Sequence, residues 1–278
     1  MTAGLLLVLT AAAAVIAWIV GGPVLAARRR AALRAGGLTD AERAILSRRV
    51  PLYRCVPTGL AERLDGLIGV FVAEKDFIGC GGLEVTAAMK LTIAAQACLL
   101  VLGRDEHVYD ELRSVLVYPS QFVVPQSWHD EDGVVTEEES VLAGQAWDVS
   151  RILLSWEDVT AGGRGDEAYN VVVHEFAHYL DHETGVSLDV AGRADNGHAA
   201  RLAREYEALC DAVDRGEEPF LDPYAAEDEA EFFAVASEAF IETPRELAAA
   251  HPDIYAALAK FYRLDPATWP EPRRGPGR

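Results

Sequence analysis

Cysteine is scarce in this chain of 278 residues. Cys55, Cys80, Cys98 and Cys210 lie far apart, and no two of them form a CxxC pair. Thiols so scattered give no disulfide framework; they read as reduced and mostly buried, which favours the cytoplasm over an oxidising compartment. Positive charge is also in short supply, with 25 Lys and Arg against 44 Asp and Glu and a formal net charge of −19. Four of the arginines (Arg28, Arg29, Arg30, Arg34) sit together near the start, and without them 21 basic residues face 44 acidic ones, about −23. A body that acidic repels polyanions, so no nucleic-acid partner is expected. The chain also lacks internal repeats and long low-complexity tracts, which leaves a globular body: half of the residues are hydrophobic and a quarter charged. The length suits one large domain or two small ones.

What is present begins with a long apolar run. Gly4 to Ala27 carries no charge; as a helix its length is about 36 Å, enough to cross a bilayer core. Gly21, Gly22 and Pro23 fall only near its end, where a membrane helix tolerates them, and Arg28-Arg29-Arg30 follows at once. With the basic cluster after the run, the positive-inside rule places the rest of the chain in the cytoplasm. A cleaved signal peptide ending near Val24-Leu25-Ala26 would carry its charge before the apolar segment, and a buried soluble helix would hardly be apolar on every face. The expectation is a single-pass cell-membrane anchor with its basic flank over residues 1–34, then a linker over 31–39.

The body reads as a mainly helical α+β domain with a small sheet over residues 40–268, followed by a disordered Pro/Gly/Arg-rich tail over 269–278. Thr39-Asp40-Ala41-Glu42 is a helix start. Helices are predicted over 61–73, 86–102, 169–182 (ended by Gly185), 198–215, 230–242 and 252–262. Ser114 to Tyr118, Phe122 to Val124 and Arg151 to Trp156 read as short strands, the last followed by the Gly-rich turn 161–165. Glu137-Glu138-Glu139 reads as a solvated loop or helix start.

Residues 174–178 are His-Glu-Phe-Ala-His. On a helix His174 and His178 lie one turn apart on one face, spaced to grip a zinc ion, and Glu175 beside them can take a proton from water. Chance alone places HExxH in roughly one chain in a hundred of this length, so its flanks decide. Val171, Val172, Val173, Phe176, Ala177 and Leu180 bury the helix on most sides, and buried polar groups need partners. A metal satisfies all three. A metzincin continues with Gly at 181 and His at 184; Asp181 and Thr184 exclude that class. Other zincins take a third ligand from a later helix, commonly a glutamate. Glu231 and Glu238, seven residues apart, share one face of such a helix, one to bind metal and the other to support a ligating histidine. Spacing does not say which is which. Glu227, Asp228 and Glu229 read as exposed groups at that helix's start, and His182, His198 and His251 as surface or structural histidines. Asp181 lies seven after His174, near the histidine face, in a supporting position. Tyr224 precedes the second helix closely enough to reach the pocket and hydrogen-bond an oxyanion.

Beyond these short patterns, NVVVHEFAHYLD (170–181), DPYAAEDEAEFFAVASEAF (222–240) and FYRLDP (261–266) resemble the Mlc titration factor A family of zinc peptidases. VPLY (50–53), KDFIGCGGLEVT (75–86), VYPSQF (117–122) and GQAWDVSRILLSW (144–156) continue the resemblance upstream, in the same order. It covers about residues 45–268. The resemblance implies a zincin-like fold similar to the catalytic core of anthrax lethal factor, zinc held by His174, His178 and Glu231, Glu238 in support, Tyr224 near the metal, and modest aminopeptidase activity. It also implies binding of a glucose-responsive transcriptional repressor. The N-terminal anchor departs from the founding type and leaves that partner open.

The expected protein is therefore a membrane-anchored, cytoplasm-facing zinc metallopeptidase acting on peptides or proteins, with Glu175 as general base. The rival expectation is a regulatory protein that sequesters a transcription factor, its zinc structural or vestigial. A substrate strand is expected to pair along an edge strand, with Arg151 to Trp156 as the candidate.

Overall fold

The computed structural model describes residues 3–104, 109–120, 122–129, 135–142, 144–148, 150–163, 168–184 and 199–271, with the backbone alone at 3, 5–9, 13–20, 122–129, 135–142, 144–148 and 199–200. Gly185, His198 and part of the Gly-rich turn at 161–165 lie outside the described residues.

Helix α1 (Ala3–Gly36) runs unbroken through Pro23. Among the described residues no helix is long and apolar enough to cross a membrane; the side chains of 5–9 and 13–20, most of the apolar run, lie outside that description. The end of α1 is not the linker expected over 31–39. It packs against α3 (Thr58–Glu74), where Gly66 leaves room for the backbone of Arg34: a Cβ there would come within 3.1 Å of the Arg34 Cα. The Arg30 guanidinium grips Glu74 in a fork (Nε to Oε1 2.8 Å, Nη2 to Oε2 2.7 Å) and also reaches Asp110 Oδ1 at 2.8 Å. Gly37, at φ +57°, stops the helix, and Thr39 opens α2 (Asp40–Arg49) with a capping box to Glu42.

The sheet has the order β1 (Asp76–Gly79), β2 (Ser114–Tyr118), β6 (Arg151–Ser155), β5 (Gly144–Asp148). The first three are parallel, with Phe77 opposite Val115 and Leu116 opposite Leu153, and β5 is antiparallel to β6. Strand β6 is therefore not an edge, which corrects the expected substrate strand. Its apolar run, Ile152-Leu153-Leu154, is buried on both faces, as an internal parallel strand requires. The edge on that side is β5. Strands β3 (Phe122–His129) and β4 (Val135–Leu142) form a separate antiparallel pair. Glu137, Glu138 and Glu139 thus lie in a strand, opposite Ser127, Gln126 and Pro125, rather than in a loop or helix start.

Helix α4 (Ala87–Leu100), buried along nearly its whole length from Met89, forms the centre of the core. After β6, Ser155 caps a short helix α5 (Trp156–Ala161), and α6 (Val171–Thr184) carries the histidine motif. The remaining helices are α7 (Ala199–Asp214), α8 (Glu229–Glu242), α9 (Pro244–Ala250) and α10 (Pro252–Tyr262). The tail begins later than expected. Trp269 is buried, and Arg245 donates to its carbonyl at 2.8 Å and to that of Ala267 at 2.9 Å. Residues 272–278 lie outside the described residues.

Candidate metal centre

Helix α6 is held from behind by rings. Phe176 and Tyr179 meet Tyr109 at centroid distances of 4.7 and 5.2 Å, both edge-on, and Phe71 closes the cluster. Tyr179 Oη accepts the N–H groups of Glu111 and Leu112, each at 3.2 Å. With that face anchored, His174 and His178 turn toward α8, which packs across α6. Asp228 caps α8: its Oδ1 accepts the N–H groups of Ala230 and Glu231, both at 2.8 Å, and this sets Glu231 in the first turn.

Three ligand atoms converge. His174 Nε2 lies 3.1 Å from Glu231 Oε2, His178 Nε2 lies 3.3 Å from the same oxygen, and the two ring nitrogens are 3.1 Å apart. Ligand bonds of about 2.0–2.1 Å at tetrahedral angles put neighbouring donor atoms roughly 3.3 Å apart. The triangle therefore has the size of three corners of a metal tetrahedron. The tautomer agrees. His174 Nδ1 pairs with Glu238 Oε1 at 2.8 Å, and a carboxylate that accepts from Nδ1–H leaves Nε2 for a metal. Glu231 Oε2 is buried without a hydrogen bond although two ring nitrogens adjoin it. Electron-rich atoms so packed need a cation between them, and His174, His178 and Glu231 could hold a metal ion.

The charges point the same way. Burial alone would lower the His174 pKa, but Glu231 and Glu238 raise it to about 10. Burial alone would raise that of Glu231, but the two histidines bring it down to about 2. A field that would keep a proton on His174 also favours a metal cation there. Glu175 differs: burial lifts its carboxyl to about 7 against the pull of both histidines, and its Oε2 has no hydrogen bond. A carboxylate poised near neutrality, beside the histidines, suits proton transfer.

Tyr224 stands in a 3-10 turn (Pro223–Ala226), half exposed, with its ring centroid 6.2 Å from that of His174. Burial, followed by the Glu231 charge, raises its phenol above the ordinary value. Asp181 is buried, but it is not part of the three-atom cluster; its charge bears on the Tyr262 phenol. His251 pairs with Glu205 at 2.9 Å, away from the cluster. Two buried residues escaped the sequence reading, Asn170 and Glu242. Asn170 Nδ2 donates to Glu242 Oε1 at 2.6 Å, and its Oδ1 caps Val173 N–H at 3.1 Å. An Asn just before a helix is a capping signal that was available; Glu242 offered none.

A buried HExxH helix facing a glutamate helix defines a metallopeptidase-type protein. Residues 24–263 match the family described as glucose-regulated metallo-peptidase M90, and the chain belongs to it. Among its relatives, the Synechocystis sp. protein slr2042 is 35% identical, covering 94% of this chain and 97% of its own length. Mlc titration factor A of Pectobacterium atrosepticum is 35% identical, and that of Escherichia coli O127:H6 33%, each covering 78% of this chain and 84% of the relative.

Proposed function

We propose that this protein is a membrane-anchored, cytoplasm-facing zinc peptidase that hydrolyses peptide bonds in peptide or protein substrates. The observation that carries the catalytic reading is the convergence of His174 Nε2, His178 Nε2 and Glu231 Oε2 within 3.1–3.3 Å, next to a buried glutamate without a hydrogen bond at Oε2. A zinc ion held there would supply Lewis acidity, polarising the scissile carbonyl and bringing the pKa of a water toward neutrality. Glu175 then accepts the water's proton and passes it to the leaving amine. Glu238 keeps His174 in the tautomer that leaves Nε2 free. The Tyr224 hydroxyl donates to the oxyanion as the carbonyl becomes tetrahedral. Strand β5, the sheet edge that touches α6, supplies backbone groups along which an extended substrate can pair. Membrane attachment rests on the uncharged run Gly4 to Ala27 followed by three arginines.

The test strips the full-length chain with a chelator, restores zinc, and follows cleavage of an unblocked peptide and its N-acetylated twin. Cleavage lost on stripping and regained with zinc supports the reading; an unblocked peptide left intact with zinc restored contradicts it. Preference for the free N-terminus would make the activity an aminopeptidase.

The name of the Mlc titration factor A relatives favours a second reading, stoichiometric capture of a transcriptional regulator. Capture of a regulator from membranes that is equal in wild type and Glu175→Gln, with no peptidase activity in either, would favour that reading.

A further inference from the structure

Asn170 joins the two helices of the metal centre, and neither ligation nor proton transfer accounts for it. Its Oδ1 caps Val173 N–H at 3.1 Å, its Nδ2 donates to Glu242 Oε1 at 2.6 Å, and its backbone N–H donates to Glu238 Oε2. That last bond leaves the other oxygen of Glu238 for His174 Nδ1, at 2.8 Å. Asn170, Glu238 and Glu242 are all buried, at 1%, 4% and 3% exposure. The preceding turn is built to fit: Gly163, at φ +69°, passes so close that a Cβ would come within 3.2 Å of Asn170 Nδ2.

A helix cap needs only the acceptor half of an amide. The donor half reaches a carboxylate on α8, 72 residues away. We propose that Asn170 and Glu242 are positioning residues for the metal ligand His174. Glu242 and the cap fix the Asn170 backbone, which fixes one oxygen of Glu238, so that the other holds the His174 ring as its Nδ1–H tautomer with Nε2 aimed at His178 and Glu231. A carboxylate tethered at one oxygen cannot rotate away from the histidine it orients. The inference rests on the metal reading of the cluster.

The test titrates full-length wild type, His174→Ala, Asn170→Ser and Glu242→Leu with zinc against a chromophoric chelator. Metal-free thermal unfolding and the His174 imidazole nitrogen resonances are recorded alongside. Serine still caps a helix, so Asn170→Ser isolates the donor half of the amide. Wild type is expected to bind one zinc and His174→Ala none with comparable affinity; absence of that difference means that the metal reading itself fails. With it in place, Asn170→Ser and Glu242→Leu should bind zinc about 10–100-fold more weakly, and in the zinc-loaded variants the His174 Nδ1 resonance should move from its wild-type position. One substitution precedes α6 and the other lies on α8, and either variant that folds decides the matter. Wild-type zinc affinity with unchanged His174 resonances overturns the positioning role and leaves Asn170 a helix cap.

Discussion

Each polar side chain at the centre has a task set by its neighbours. Tyr224 is half exposed, with its ring centroid 6.2 Å from that of His174, and in the proposed mechanism it acts on the reacting carbonyl rather than on the fold. Tyr224→Phe is therefore expected to lower kcat by about 100-fold or more with KM and zinc content unchanged, since a lost oxyanion donor acts only in the transition state. A fall confined to KM would contradict that role. Farther away, Lys75 shows what burial does to a cation. It is 6% exposed, its Nζ donates to the carbonyls of Tyr109 and Leu112, and burial drops it from 10.5 to about 8. Between pH 8 and 10.5 the unfolded chain keeps this proton while the folded one gives it up. This group's contribution to stability therefore rises with pH across that window. Denaturant midpoints of wild type and Lys75→Met at pH 8 and pH 10 should show the advantage of wild type growing; a constant difference would refute the assignment. The residue scale is also where the sequence was most and least readable. The motif named His174, Glu175 and His178 unaided. Glu231 and Glu238, on one helix face, could not be told apart by spacing; the fold separates them by placing one at Nε2 and the other at Nδ1 of His174. Glu242 was invisible because its partner is 72 residues away.

Among the elements, those with their own signals were legible: α10 opens on Pro252, and in β2 Val115, Val117 and Tyr118 mark a short run ended before Pro119. Strands β1 and β5, of four and five residues, were missed, because pairing across the sheet and not local pattern makes them strands. The junction of α1 was misread for a similar reason. Arg30 looks like a membrane flank beside Arg28 and Arg29, yet it folds inward to Glu74 and Asp110. Arg30→Ala should cost about 2 kcal/mol of stability through the lost charged hydrogen bonds, read by chemical denaturation. An unchanged midpoint would mean that α1 is only loosely attached. The ring cluster behind α6 makes a stronger demand. Phe176 is fully buried against Phe71 and Tyr109, so Phe176→Ala should cost about 3–5 kcal/mol and weaken zinc binding with it. Full zinc affinity in a destabilised variant would show that the rings do not set the histidine face.

At the scale of the whole molecule, α1 carries the uncharged run and the basic cluster, and without those four arginines the rest of the chain has a net charge of about −23. That body gains nothing from an anionic lipid surface, so the proposed attachment depends on the apolar run. Full-length protein is expected to stay with membranes through alkaline carbonate extraction; complete release would remove the anchor from the account. The family and the metal centre stand apart from that question, since residues 24–263 carry both. Their central claim is that Glu175 moves a proton at a metal held by His174, His178 and Glu231. The measurement is peptide hydrolysis by zinc-loaded wild type and Glu175→Gln, with the zinc content of each determined. One zinc is expected in both, with a loss of about 100-fold or more in the variant's turnover; a variant that keeps its zinc and its full activity would rule out Glu175 as the group that moves the proton.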